Sequence, residues 1–265
     1  MHKAIRTAAA VCFLAIATPS WVNATSFSTN QSDLWWNPSE SGWGIQFVQQ
    51  ADVIFATLFV YDQTRVPIWY TATLNYAGNL TWTGALYLTN GPWFGAGFFD
   101  PSSVGVQQVG TMTAYFPIVD SGTLSYSVNG VVVNKSITRQ LLRLEDFTGD
   151  YIGGIEETLA GCANPANNGA VEDFAFITVN HVGTGMSIVT SNAIGFSCTF
   201  NGVYGQAGHM GQLTGSFSCS NGDQGNFNAF EMEVSRSGFT ARFTGNDIFC
   251  SSISGRIGGL RRSAD

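Results

Sequence analysis

Charge is what this chain has least of. Asp, Glu, Lys and Arg together make up 11% of its 265 residues, against roughly a quarter in ordinary soluble domains. Lysine is nearly missing, with only Lys3 and Lys135 in the whole chain. The net charge is −7, and it becomes −9 once a leader carrying Lys3 and Arg6 is removed, leaving nine basic against eighteen acidic side chains. Such a chain is repelled by polyanions, which makes nucleic acid and anionic membrane surfaces poor partners, and no nucleic-acid partner is expected. Low charge does not mean disorder here, because 45% of residues are hydrophobic and 13% aromatic.

Histidine is just as scarce, at three residues. His2 falls in the leader, and His181 and His209 fall at expected turns. A Ser-His-Asp triad or a histidine metal centre is therefore poorly supplied. Gly183-Thr184-Gly185-Met186-Ser187 puts its serine in the wrong place for a nucleophile elbow. Ala163–Gly169 with Asp173 offers oxygen ligands but not the spacing of a calcium loop. No cofactor motif is present. After residue 24 no apolar run approaches 18 residues, so the sequence holds no membrane-spanning helix.

Residues 1–24 read as a secretory signal peptide. Lys3 and Arg6 give the basic start, Ala8 to Ala17 the apolar run, and Val22-Asn23-Ala24 a small-residue cleavage pattern. Cys12 lies inside the apolar run. The remaining cysteines, Cys162, Cys198, Cys219 and Cys250, all fall in the second half. An even count in an exported chain points to two disulfides rather than zinc, whose ligand spacings are shorter. The expected location is periplasmic or extracellular.

What the chain has in quantity is glycine, aromatics and a period of two. Short segments of alternating hydrophobicity separated by turn residues run from Trp43 to Arg262, which predicts an all-β protein. The first half gives seven strands between Trp43 and Gln140, with residues 89–101 as a long loop. Asn129-Gly130 is a two-residue hairpin turn that sets Val128 against Val131 and Tyr126 against Val133. Thr138 to Phe147 reads as a strand end plus linker or as a short helix, and the domain boundary is placed near Leu144. The second half gives eight strands. A hairpin about Gly208-His209 sets Cys198 opposite Cys219, which leaves Cys162 to pair with Cys250. A hairpin about Arg236-Ser237 sets Phe230 against Phe243 and Glu231 against Arg242, the latter a solvated pair.

The expected organisation is thus two antiparallel meander domains after the leader. Residues 25–144 form a Trp-rich barrel or sandwich, and 145–265 an eight-stranded up-and-down barrel stitched by disulfides. A single outer-membrane barrel is the competing arrangement, opposed by the short loops and the cysteine pairs.

Six tryptophans lie between residues 35 and 93. Indoles can stack on sugars or line an apolar pocket. Trp35, Trp36, Trp93 and Phe94 stand in segments without strand alternation and are the candidate ligand-binding rings. Glu40, between two serines, is a candidate polar contact, or the acid of a hydrolase. No second carboxylate stands at a spacing that would complete a glycosidase pair.

The stretch Asp33–Gly44, DLWWNPSESGWG, followed in order by Tyr61-Asp62, Pro67-Ile68-Trp69-Tyr70, Gly91-Pro92, Phe99-Asp100-Pro101 and Ile137-Thr138-Arg139-Gln140, resembles an exported proteobacterial β-domain family that opens with a WWNPxESGWG-type motif. The resemblance covers roughly residues 33–140 and implies an exported β-domain without an assigned activity. The cysteine-containing half is similar to a companion of that domain. The expectation is a non-catalytic module binding a small apolar or carbohydrate ligand or a surface component. A self-associating, adhesive surface protein is the alternative, and a hydrolase using Glu40 the third reading. Nothing in the sequence fixes the oligomeric state.

Overall fold

The computed structural model describes residues 29–262. The expected signal peptide and its cleavage point after Ala24 lie outside the described residues. The chain is all-β and folds into two closed, eight-stranded antiparallel barrels, each an up-and-down meander. Two barrels of this kind replace the single large barrel as the arrangement of the sixteen strands.

The first barrel comprises β1 (Asp33–Trp36), β2 (Gly44–Gln50), β3 (Val53–Tyr61), β4 (Pro67–Gly78), β5 (Thr81–Asn90), β6 (Gly105–Tyr115), β7 (Ser121–Val128) and β8 (Val131–Arg139). The alternation in the sequence shows only seven of these strands, because β1 is four residues long, too short for the period to appear. That strand closes the barrel, pairing Trp35 with Ile45 on one side and with Arg139 on the other. Alternation then sorts the side chains. Ile54, Ala56 and Leu58 are buried, while Phe55 and Phe59 on the same strand face out. Inside, Trp35, Phe47, Trp82 and Phe116 meet edge-on or tilted, with ring centroids 4.9 to 6.1 Å apart. Eight strands enclose just enough room for such side chains to fill. The Asn129-Gly130 turn has positive φ at both residues, 49° and 86°, and holds the expected Val128–Val131 and Tyr126–Val133 register.

The second barrel comprises β9 (Gly149–Cys162), β10 (Gly169–Val182), β11 (Gly185–Ser191), β12 (Ser197–Ala207), β13 (Met210–Cys219), β14 (Gln224–Val234), β15 (Gly238–Asp247) and β16 (Cys250–Arg261). Cys198 faces Cys219 and Cys162 faces Cys250, and both pairs are disulfides, as a chain folding in an oxidising compartment would have. The β14–β15 hairpin departs from expectation. Val234 does face Phe239, but a bulge between Phe230 and Glu233 then slips the register by one. Phe243 consequently faces Ala229, and Arg242 faces Phe230. Arg242 still reaches the bulged Glu231, at 3.4 Å.

The two ends of this barrel differ. Residues 140–148 form no regular element, and they carry Phe147 into the end where the chain enters. There Phe147 is buried against Tyr204 and Phe239, and Tyr151 Oη donates to its carbonyl at 2.7 Å. This closed end meets the first barrel through the Gly208-His209 turn. His209 Nδ1 stands 2.7 Å from Asp33 Oδ2, and the His209 backbone N–H donates to the same oxygen at 3.1 Å. Gly208 is required there, since its φ is +58° and a Cβ would sit 2.0 Å from Asp33 Oδ2. Both disulfides lie at the opposite end.

Candidate functional site

The disulfide end of the second barrel is open and leads into a cavity of about 280 Å³ inside the strands. Its walls follow from alternation, the inward residues of consecutive strands being Ile155, Phe200, Phe217, Phe227, Phe243 and Ile257 among others. Phe200 stacks on Phe217 with centroids 5.3 Å apart and meets Phe227 edge-on at the same distance. Grooves on the outer wall are larger but shallow and open, for instance one lined by Glu156, Glu172 and Arg256. Enclosure by apolar rings is what retains a small molecule, so the interior cavity is the better candidate.

Four carboxylates also line the cavity, Glu157, Asp173, Asp223 and Asp247, and no Lys, Arg or His accompanies them. Asp173 accepts a hydrogen bond from Asn192 Nδ2 at 2.9 Å. Asp247 Oδ1 accepts from the backbone N–H of Phe249 at 2.8 Å and from that of Cys250. Asp223 Oδ1 is buried without a hydrogen-bond partner among the described residues. Burial raises the Glu157 carboxyl above its ordinary pKa, and the charges of Asp247, Asp223 and Asp173 add to that. Burial also raises Asp223, helped by the charge of Asp247. Glu157 and Asp223 are thus carboxyls for which charge is costly, set over an apolar floor.

The candidate ligand-binding residues singled out from the sequence belong to the first barrel, and none of them lines this cavity. Trp35 is 1% exposed in the core of the first barrel. Its indole N–H donates to the Gln31 carbonyl at 3.0 Å, and the Arg139 guanidinium covers its face at 4.6 Å, so no ring face is left for a ligand. Trp36 is half-buried on β1. Glu40 closes a short 3-10 turn (Pro38–Glu40), where it accepts from the Trp43 indole at 2.9 Å and from Lys135 at 2.6 Å. The Lys135 and Trp43 hydrogen bonds hold its carboxyl below the ordinary value, the opposite of what a general acid needs. Trp93 and Phe94 touch each other, with centroids 5.8 Å apart, on the 91–104 loop between β5 and β6. Among the described residues, no group of His, Cys, Asp and Glu is placed to hold a metal ion.

The carboxylate set went unread in the sequence although a signal was present. Glu157 is in phase with Ile155 and Leu159, Asp173 with Val171 and Ala175, and Asp247 with Phe243 and Gly245. An acid at an inward position near the same end of three strands marks a polar rim. Comparison with protein-family models, with curated proteins and with solved structures finds no match for the chain.

Proposed function

We propose that the protein is an exported, non-catalytic binder that takes a small apolar molecule into the open end of its second barrel. The observation that carries this reading is the 280 Å³ interior space walled by phenylalanine and isoleucine. That volume lies near the lower end of ligand pockets, which suits a short-chain ligand or one of a few rings. The leader-like residues 1–24 and the two disulfides support export to the periplasm or beyond. The fluorescence of N-phenyl-1-naphthylamine, a neutral apolar probe, should rise on mixing with the protein. Ala229→Phe, which fills the cavity, should abolish the rise while circular dichroism stays unchanged. Unaltered probe binding in that variant would rule the cavity out.

A second reading, self-association or adhesion at a surface, is favoured by the 91–104 loop. Trp93, Phe94, Phe98 and Phe99 are 70%, 94%, 78% and 57% exposed there. Between Arg65 and Lys135 the sequence has no charge except Asp100 and Asp120, so little charge stands near these rings to keep copies apart. If this loop associates copies of the chain, sedimentation velocity shows a concentration-dependent oligomer that Trp93→Ser with Phe94→Ser returns to monomer.

A further inference from the structure

The cavity's walls and its charged groups ask for different things, and one kind of ligand meets both. We infer that the occupant of the second barrel is a cationic amphiphile, with an apolar body and a protonated amine or quaternary ammonium group. This rests on the reading of the cavity as a binding site and adds the chemical class of what it binds.

Three observations lead to it. The body of the space is apolar and aromatic, with Phe200, Phe217 and Phe227 presenting ring faces and edges to one another. Aromatic faces attract cations as well as hydrocarbon, and cages of rings are a known way of holding quaternary ammonium. The lining carries four carboxylates and no basic side chain, so a ligand cation meets complementary charge while a fatty acid of the same length is repelled. Asp223 Oδ1 is buried without a hydrogen-bond partner among the described residues, and the neighbouring charge of Asp247 disfavours the Asp223 carboxylate, so an ammonium group beside the pair would relieve that repulsion.

The charges outside the cavity do not cancel this arrangement. Glu157 lies between Val171 on β10 and Gly255 on β16. Asp173, Asp223 and Asp247 face it from within. Glu156, Glu172 and Arg256 sit in one cross-strand row on the outer wall and are exposed. Acidification neutralises Glu157 and Asp223 from above the ordinary carboxylate range, and weakens the hold on an amine as it does so.

The test uses the full oxidised chain at neutral pH, with decylamine, decan-1-ol and decanoate competing against N-phenyl-1-naphthylamine. Decylamine should displace the probe at least tenfold more tightly than decan-1-ol, and decanoate should be weakest. Glu157→Gln with Asp223→Asn should close the gap between amine and alcohol. The outer-wall variant Glu156→Gln with Glu172→Gln should leave the gap intact. Equal binding of amine and alcohol would overturn the cationic preference while the cavity reading stands. The same would follow if the outer-wall variant closed the gap as well, since the preference would then reflect net charge alone. If neither the probe nor any of the three compounds binds, the cavity reading itself falls, and this inference with it.

Discussion

At the scale of single residues, the most heavily committed side chain is Arg139. Its side chain has no exposed surface, and it donates to Asp33 Oδ2, to Gln31 Oε1 and to the carbonyls of Val119, Asn30 and Ser32. Asp33 joins this guanidinium to His209 of the other barrel. Burial opposes the Asp33 charge, but the hydrogen bonds from His209 and Arg139 outweigh it and keep the carboxyl below its ordinary range. A depressed folded value means that the stability from this charge is complete at neutral pH. It is lost as pH falls below the ordinary carboxylate range and through the lowered one. Asp33→Asn should therefore cost stability at pH 7 and little at pH 2. Breaking a buried pair costs roughly 3–5 kcal/mol, and the lower end applies because Arg139 keeps four other acceptors. Urea titrations at the two pH values check the difference; an equal loss at both would mean the charge contributes nothing. The tryptophans separate in the same way. Trp35→Phe gives up a hydrogen bond to Gln31 and a stacked guanidinium. The Trp82 indole N–H has no partner among the described residues, so Trp82→Phe should cost clearly less in thermal denaturation.

At the scale of elements, much of the fold was written in the sequence. The Gly208-His209 turn and the Cys198–Cys219 register follow from counting alone, because a hairpin without insertions pairs residues of constant sum. Counting fails where a residue is inserted. Glu231, at φ +50°, adds the extra step that shifts Phe230, and hydrophobic alternation carries no mark of it. In the WWNP stretch the two tryptophans end β1, while Asn37 and Pro38 build a turn. Asn37 Oδ1 accepts from the Ser39 N–H at 3.0 Å ahead of Pro38, and the same Asx–Pro start recurs at Asp100-Pro101 and Asn164-Pro165. The disulfides have separable duties. The Cys162–Cys250 bridge joins residues 88 apart, and Cys198–Cys219 joins residues 21 apart. On chain-entropy grounds the first is worth about 4–5 kcal/mol and the second about 3. Only Cys198 and Cys219 line the cavity. Replacing Cys162 and Cys250 by serine should thus cost more in denaturation midpoint, whereas replacing Cys198 and Cys219 should cost more in probe affinity. A reversal of that order would separate the bridges from these roles.

At the scale of the whole molecule, the second barrel is a vessel whose floor is docked on the first barrel and whose mouth points away from it. That the second half closes into a barrel was legible, whereas its being partly empty was not. Phe200, Phe217, Phe227 and Phe243 are inward by alternation, yet inwardness does not tell whether their rings meet across the middle. The four carboxylates are spread over ninety residues of sequence and converge only when the sheet closes. All the tryptophans of residues 29–262 lie in the first barrel, so native indole emission is a poor reporter of the second. The two ends of the vessel should respond independently. Phe147→Ala empties the closed end, where the ring packs on Tyr204, Phe239 and His181, and a buried Phe→Ala change costs about 3–5 kcal/mol. None of those residues lines the cavity. The variant should melt at a markedly lower temperature and yet bind N-phenyl-1-naphthylamine within twofold of the parent below its transition. Loss of probe affinity in step with loss of stability would mean that the open end is shaped by the plug, and that the barrel works as one unit rather than as a floor and a mouth.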